Sequence, residues 1–116
     1  MLVKTSNDCG GMGSDALGAF VAVSELTVPD GGRGATDTAF STRLGAVDGW
    51  PGFRGLQVWA DASDPSSLMM ISWWDDRASF DTYMHSDDHR ASHARIPSGE
   101  LRPRPHRFRR FSVIAQ

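Results

Sequence analysis

Apolar residues set the first element. Between residues 18 and 28 the chain turns β-branched and aromatic, with Phe20, Val21, Ala22, Val23, Leu26 and Val28, and it stops at Pro29-Asp30-Gly31-Gly32. A strand is predicted there. Thr36 or Asp37 then caps a predicted helix whose apolar positions Phe40, Leu44 and Val47 recur at i, i+4 and i+7, ending before Gly49-Trp50-Pro51-Gly52. Residues 53–60 and 68–74 read as two antiparallel strands joined by a turn-forming segment, Asp61 to Ser67, rich in Asp, Ser and Pro. Asp75 or Asp76 opens a second helix with Phe80, Tyr83 and Met84 on one stripe. Ser86, followed by Asp87 and Asp88, is a fresh N-cap that breaks this helix. Beyond Pro103 and Pro105, residues 107–115 alternate well enough for a last strand.

The order β-α-β-β-α-β is the ferredoxin-like split βαβ arrangement, an α+β fold with a four-stranded antiparallel sheet and both helices on one face. Such a sheet ordinarily keeps one wet face. Here Leu68, Met70 and Trp74 alternate with Met69, Ile71 and Trp73, and Val21 and Val23 lie opposite Phe20, Ala22, Leu26 and Val28. Both faces therefore read as apolar. Each large side chain left in water would forgo about 1.5–3 kcal/mol, so a second copy on the helix-free face, a homodimer with two-fold symmetry, is the expected assembly.

A chain of 116 residues supports one domain, here residues 18–116, preceded by a polar, Gly-rich stretch, 1–17, expected to be a flexible tail. Twelve Lys and Arg against fourteen Asp and Glu remove the global electrostatic case for nucleic acid. The single Cys9 excludes an intramolecular disulfide and multi-cysteine metal sites. The longest aliphatic run, Leu68-Met69-Met70-Ile71, is too short to cross a bilayer, and no secretory signal is evident. No membrane association and a cytoplasmic location are the expectations.

Three stretches carry a family resemblance: Phe20-Val21-Ala22-Val23-Ser24, Trp50-Pro51-Gly52-Phe53-Arg54-Gly55, and Ser72-Trp73-Trp74-Asp75-Asp76 followed by Phe80 and His89. Together they resemble the antibiotic biosynthesis monooxygenase domain of the dimeric α+β barrel superfamily. The resemblance implies a small enzyme that confines a planar hydrophobic ligand, often without flavin or metal. The segment Tyr83 to His93 is most similar to the IsdG-type haem-degrading monooxygenases. In those, a helical Trp precedes the iron-ligating His by ten positions, and an Asn on the first strand completes the site. Carried over, the ligand falls on His93, the Trp on Tyr83 and the Asn on Ser24. The resemblance thus implies haem as substrate and cofactor, with no flavin. Without the Asn amide and the Trp bulk, turnover is less strongly implied than binding.

The residues admit plainer readings too. Ser24 sits in an apolar row, either lining a pocket or bonding a backbone carbonyl. His93 is a neutral-imidazole ligand candidate or a surface histidine. His85, His89 and His93 share i, i+4, i+8 spacing, but the break at Ser86 and the lack of a fourth ligand argue against zinc, leaving His89 to shape a pocket mouth. Tyr83 reads as core packing or as a stacking or proton-supplying group. Of Trp73 and Trp74, one faces the helices, where it can touch ligand. Arg102, Arg104, Arg107, Arg109 and Arg110 either meet an anionic substrate or form a solvated edge strand protected by charge.

Three readings remain open at this stage. The first is a haem-binding, haem-degrading oxygenase using Ser24, Tyr83, His89, His93 and Trp74. The second is a cofactor-independent monooxygenase that oxidises a polycyclic phenol or anthrone to a quinone. The third is a non-catalytic dimer that binds haem or another hydrophobic ligand.

Overall fold

The computed structural model describes residues 16–42, 45–94, 96 and 98–116. Its strands are β1 (Phe20–Thr27), β2 (Phe53–Asp61), β3 (Asp64–Trp74) and β4 (Arg104–Ser112). The helices are α1 (Arg33–Ser41), α2 (Arg77–Met84) and α3 (Asp87–His93), with a 3₁₀ turn at Ala46–Gly49. The sheet is antiparallel in the order β2-β3-β1-β4, so the ferredoxin-like α+β expectation holds. Of the expected tail, residues 1–15 lie outside the described residues. Ala16 is buried, its backbone N–H donating to Gln116 Oε1 at 2.8 Å.

Directly paired residues share a face. On the helix side, one cluster joins Phe20, Ala22 and Trp74 to Phe80 and Tyr83 of α2 and to Val47. A second joins Leu26, Val28 and Leu68 to Phe40 of α1. On the opposite side, Val21, Val23, Ile71 and Trp73 form one cluster with Met69 and Val113 packed against it. Trp74, 1% exposed, is therefore the helix-side tryptophan, as the alternation requires.

The caps at Asp76 and Ser86 form as read. Asp76 Oδ1 accepts from the Ser79 N–H at 2.8 Å, and Ser86 Oγ accepts from the His89 N–H at 3.1 Å. Helix one differs. It starts at Arg33 behind Gly32, which offers no side-chain cap, and Thr36 lies fully buried on the inward face instead of capping. It ends at Ser41, while Val47 reaches the core from the separate 3₁₀ turn, entered through Gly45 at φ +75°. Leu44 lies outside the described residues. The hairpin connection is also tighter than expected. Asp61 Oδ1 accepts from the N–H and hydroxyl of Ser63, and Asp64 Oδ1 does the same for Ser66. These side chains take up backbone donors locally, so β3 begins at Asp64, and the β2–β3 register shifts between Ala60 and Asp61 and again between Phe53 and Gly55. The last strand starts at Arg104, three residues early, and includes Pro105 because β4 is an edge strand with a bulge opposite Glu25 and Leu26.

Gly52 ties the two halves of the chain together. At φ +82°, its carbonyl accepts from the Asp75 N–H at 2.7 Å, and a Cβ there would run into the Ser79 side chain.

Candidate functional site

The two helix-side clusters do not meet. Between them runs the paired row Val58, Met70, Ser24 and Phe108, flanked by Leu56 and Ser72 of the next row. Val58, Met70, Ser24, Leu56 and Ser72 are all half-buried, in contrast to the closed clusters on either side. Crossing three inter-strand spacings, this furrow is ~14 Å long. The Ser24 hydroxyl has no hydrogen-bond partner among the described residues, whereas Ser72 Oγ accepts from the Trp74 indole N–H at 2.9 Å. At its β2 end the furrow opens into a cleft of about 330 Å³ lined by Phe40, Leu56, Val58, Ala60 and Leu68, with Arg33 and Asp37 on its rim. The Arg33 Nε donates to Asp37 Oδ1 at 2.7 Å, so that rim is close to charge-neutral.

Above the sheet, four aromatic or imidazole rings follow one another. Trp74 lies 5.6 Å from Tyr83, Tyr83 lies 5.3 Å from His89, and His89 lies 5.9 Å from His93, centroid to centroid. Tyr83 is 7% exposed, with the edge of Trp50 also against it at 5.5 Å. The packing reading of Tyr83 is therefore realised, and its ring backs His89, which in turn meets His93. His89 is half-buried and His93 exposed, one helical turn apart on α3. Burial pushes the His89 imidazole below its ordinary value. The neighbouring His93 and Arg90 charges act in the same direction, and a hydrogen bond to the Met84 carbonyl opposes them. His89 is thus a neutral base near pH 7. His85 is separated from both by the break at Ser86, and its Nδ1 bonds the Asp81 carbonyl at 2.8 Å.

Four of the five expected site residues, Trp74, Tyr83, His89 and His93, are brought into one chain of ring contacts. Ser24 instead lies in the furrow floor. Sequence reasoning missed what fixes α3: the Trp50 indole N–H donates to Asp88 Oδ2 at 3.2 Å, across 38 positions. Asp88 had a signal only as a helix-start acid, and Trp50 only as part of a turn. Among the described residues no group of three His, Cys, Asp or Glu side chains is placed to hold a metal ion. Haem needs a nitrogen ligand and flat apolar walls, and the chain carries imidazoles on α3 and an apolar furrow on the sheet, groups that fit it in kind.

The profile of the antibiotic biosynthesis monooxygenase family matches residues 19–95. A heme oxygenase (staphylobilin-producing) of Staphylococcus epidermidis is 30% identical over 86 residues, covering 72% of this chain and 82% of that protein. Among solved structures, the heme-degrader MhuD of Mycobacterium tuberculosis, with two hemes bound in its active site, superposes with a TM-score of 0.69. It is 21% identical, over 84% of this chain and 97% of that one. SnoaB, a cofactor-independent oxygenase from Streptomyces nogalater, also superposes at 0.69, with 14% identity over 85% and 96% of the two chains. At these identities both structures speak for the fold.

Proposed function

This chain belongs to the antibiotic biosynthesis monooxygenase family, and from that premise we propose that it is an oxygenase of planar hydrophobic molecules, with haem as its ligand and substrate. The observation that carries the reading is His93. It stands ten residues after Tyr83, the spacing that the family resemblance gives to an iron ligand, and its ring follows His89 and Tyr83 at the edge of the helix-side core. Haem, when bound, supplies oxygen activation at its iron. The chain's own groups bind and orient it. His93 offers an imidazole nitrogen, Tyr83 and Trp74 form the rigid wall behind it, and His89 keeps an unprotonated ring beside the ligand. The Ser24 hydroxyl provides a polar contact in an otherwise apolar floor. Similarity to a heme oxygenase at 30% identity supports the choice of haem.

A second reading, cofactor-independent oxygenation of a phenolic polycycle, is favoured by one observation. His89, held neutral by burial, is a base suited to taking a phenolic proton. In either case a second copy is proposed to cover the helix-free face. The apolar cluster there is flanked by Trp59 and Phe111, which are 47% and 41% exposed.

An absorption titration with haem, followed by a reductant under air, tests the first reading. A Soret band that His93→Ala abolishes or shifts and His85→Ala preserves is expected, with bleaching on reduction. A band without bleaching would leave a binding protein, and no band would turn the assignment to the cofactor-independent oxygenase.

A further inference from the structure

The two ends of the furrow differ in charge. At the β2 end Arg33 is neutralised by Asp37. At the β4 end the row finishes on Phe108, paired with Ser24, and beside it stands Arg110, paired with Ala22. The β4 register decides which arginines face the site. Arg104, Arg107 and Arg109 pair with Thr27, Glu25 and Val23 and face away, and Arg107 meets Glu25 at 3.7 Å. Of the β4 arginines, Arg110 alone lies on the helix side, and no carboxylate pairs with it among the described residues.

Its position is also prepared. Phe108 stacks on Phe80 at 6.1 Å, with 29° between the ring planes, and the Arg110 guanidinium lies over Phe108 at 4.9 Å from the ring centroid. A guanidinium held over an aromatic ring by its charge keeps N–H donors that can still meet a carboxylate. Phe108 nonetheless remains 44% exposed, an aromatic surface beside a free cation.

The geometry points to Arg110 as the group that selects anionic ligands for this furrow, so that the site takes planar aromatic carboxylates oriented with the acid toward β4. This rests on reading the furrow as the ligand site, as proposed above, and extends it to a substrate class and a named residue. The planar body lies along Val58, Met70 and Ser24, and the carboxylate meets the Arg110 fork at the mouth. Among the described residues no carboxylate pairs with Arg110 at that mouth, whereas a carboxylate at the β2 end would meet Asp37.

The test compares acids with their neutral counterparts on the intact chain: anthracene-9-carboxylate against 9-anthracenemethanol by fluorescence, and haem against haem dimethyl ester by absorption. Wild type is expected to prefer the acid of each pair. Arg110→Gln, at an exposed position, should weaken acid binding roughly tenfold and leave the neutral partner within about twofold. Arg109→Gln, on the opposite face, should change neither, and Arg110→Lys should restore part of the preference. Equal loss for acid and neutral probe, a preference unmoved by Arg110→Gln, or the same effect from Arg109→Gln would each overturn the role of Arg110 while leaving the oxygenase reading intact. Binding of the anthracene acid without haem, still dependent on Arg110, would support this inference and remove haem. Failure of all four probes to bind would overturn both.

Discussion

The two faces of the one sheet are built on different plans. On the helix-free face, Val21, Val23, Ile71 and Trp73 form one apolar cluster, with Gln57 paired beside Ile71 and Arg109 beside Val23 at its margins. On the helix side, the buried residues split into a Trp74-centred cluster under α2 and a Leu68-centred cluster under α1, with Ser24 and Ser72 in the gap. A continuous apolar surface is suited to burial against another surface of the same kind. An interrupted one leaves space and hydrogen-bonding groups where a small ligand fits. The position of a serine in an apolar row thus distinguishes the proposed ligand face from the proposed subunit face.

Breaking the helix-side plan should cost most. Trp74 touches Phe53, Phe80 and Tyr83, so Trp74→Ala should lose about 3–5 kcal/mol in denaturant unfolding, with no dependence on protein concentration. A loss under about 1 kcal/mol would mean that the cluster does not hold the fold. On the other face, Phe111→Glu, at a residue 41% exposed in the single chain, places a charge in the proposed subunit contact. Light scattering at micromolar concentration should fall from about twice 12.7 kDa to the single-chain mass, while a wild-type protein already at 12.7 kDa would remove the subunit interpretation. The smallest effect concerns His89. Its folded-state value is depressed, so the unfolded chain takes up its proton first as the solution becomes acid. The stability this contributes is complete above the ordinary imidazole value near ~6.5 and is lost as pH falls through the lowered one. Melting temperatures between about pH 7.5 and 5 should therefore fall less steeply for His89→Phe than for wild type. An identical slope would place His89 in solvent.

Much of this comparison was legible along the chain. Alternation in Phe20–Val28 and Leu68–Trp74 assigned residues to faces, because a two-residue period follows from strand geometry alone. Asp76 and Ser86 announced their helices because a side chain does the capping. Helix one was misjudged at both ends for the converse reason. Gly32 and Gly45 act through backbone conformation, which leaves no side-chain signal. Pro65 and Pro105 read along the chain as strand breakers, although a register shift accommodates the first and an edge strand the second. At the site, the i, i+4 pairing of His89 and His93 could be read directly. The facing of Arg110 could not, since it depends on the register that pairs Arg110 with Ala22 and Arg109 with Val23, which the alternation of β4 alone does not reveal. The Trp50–Asp88 bond was equally hidden, because it joins segments 38 positions apart.

The turn around Trp50 and Gly52 has a consequence for how this molecule opens. Gly52 holds the chain just ahead of α2 through the Asp75 N–H, and Trp50 holds the start of α3 through Asp88. Both short helices are fastened to the same few residues, so neither can detach while the turn stays in place. Loss of the turn releases both. Hydrogen exchange is therefore expected to show Ala46–Gly52, α2 and α3 opening as one unit that carries the two imidazoles, with the sheet amides protected for longer.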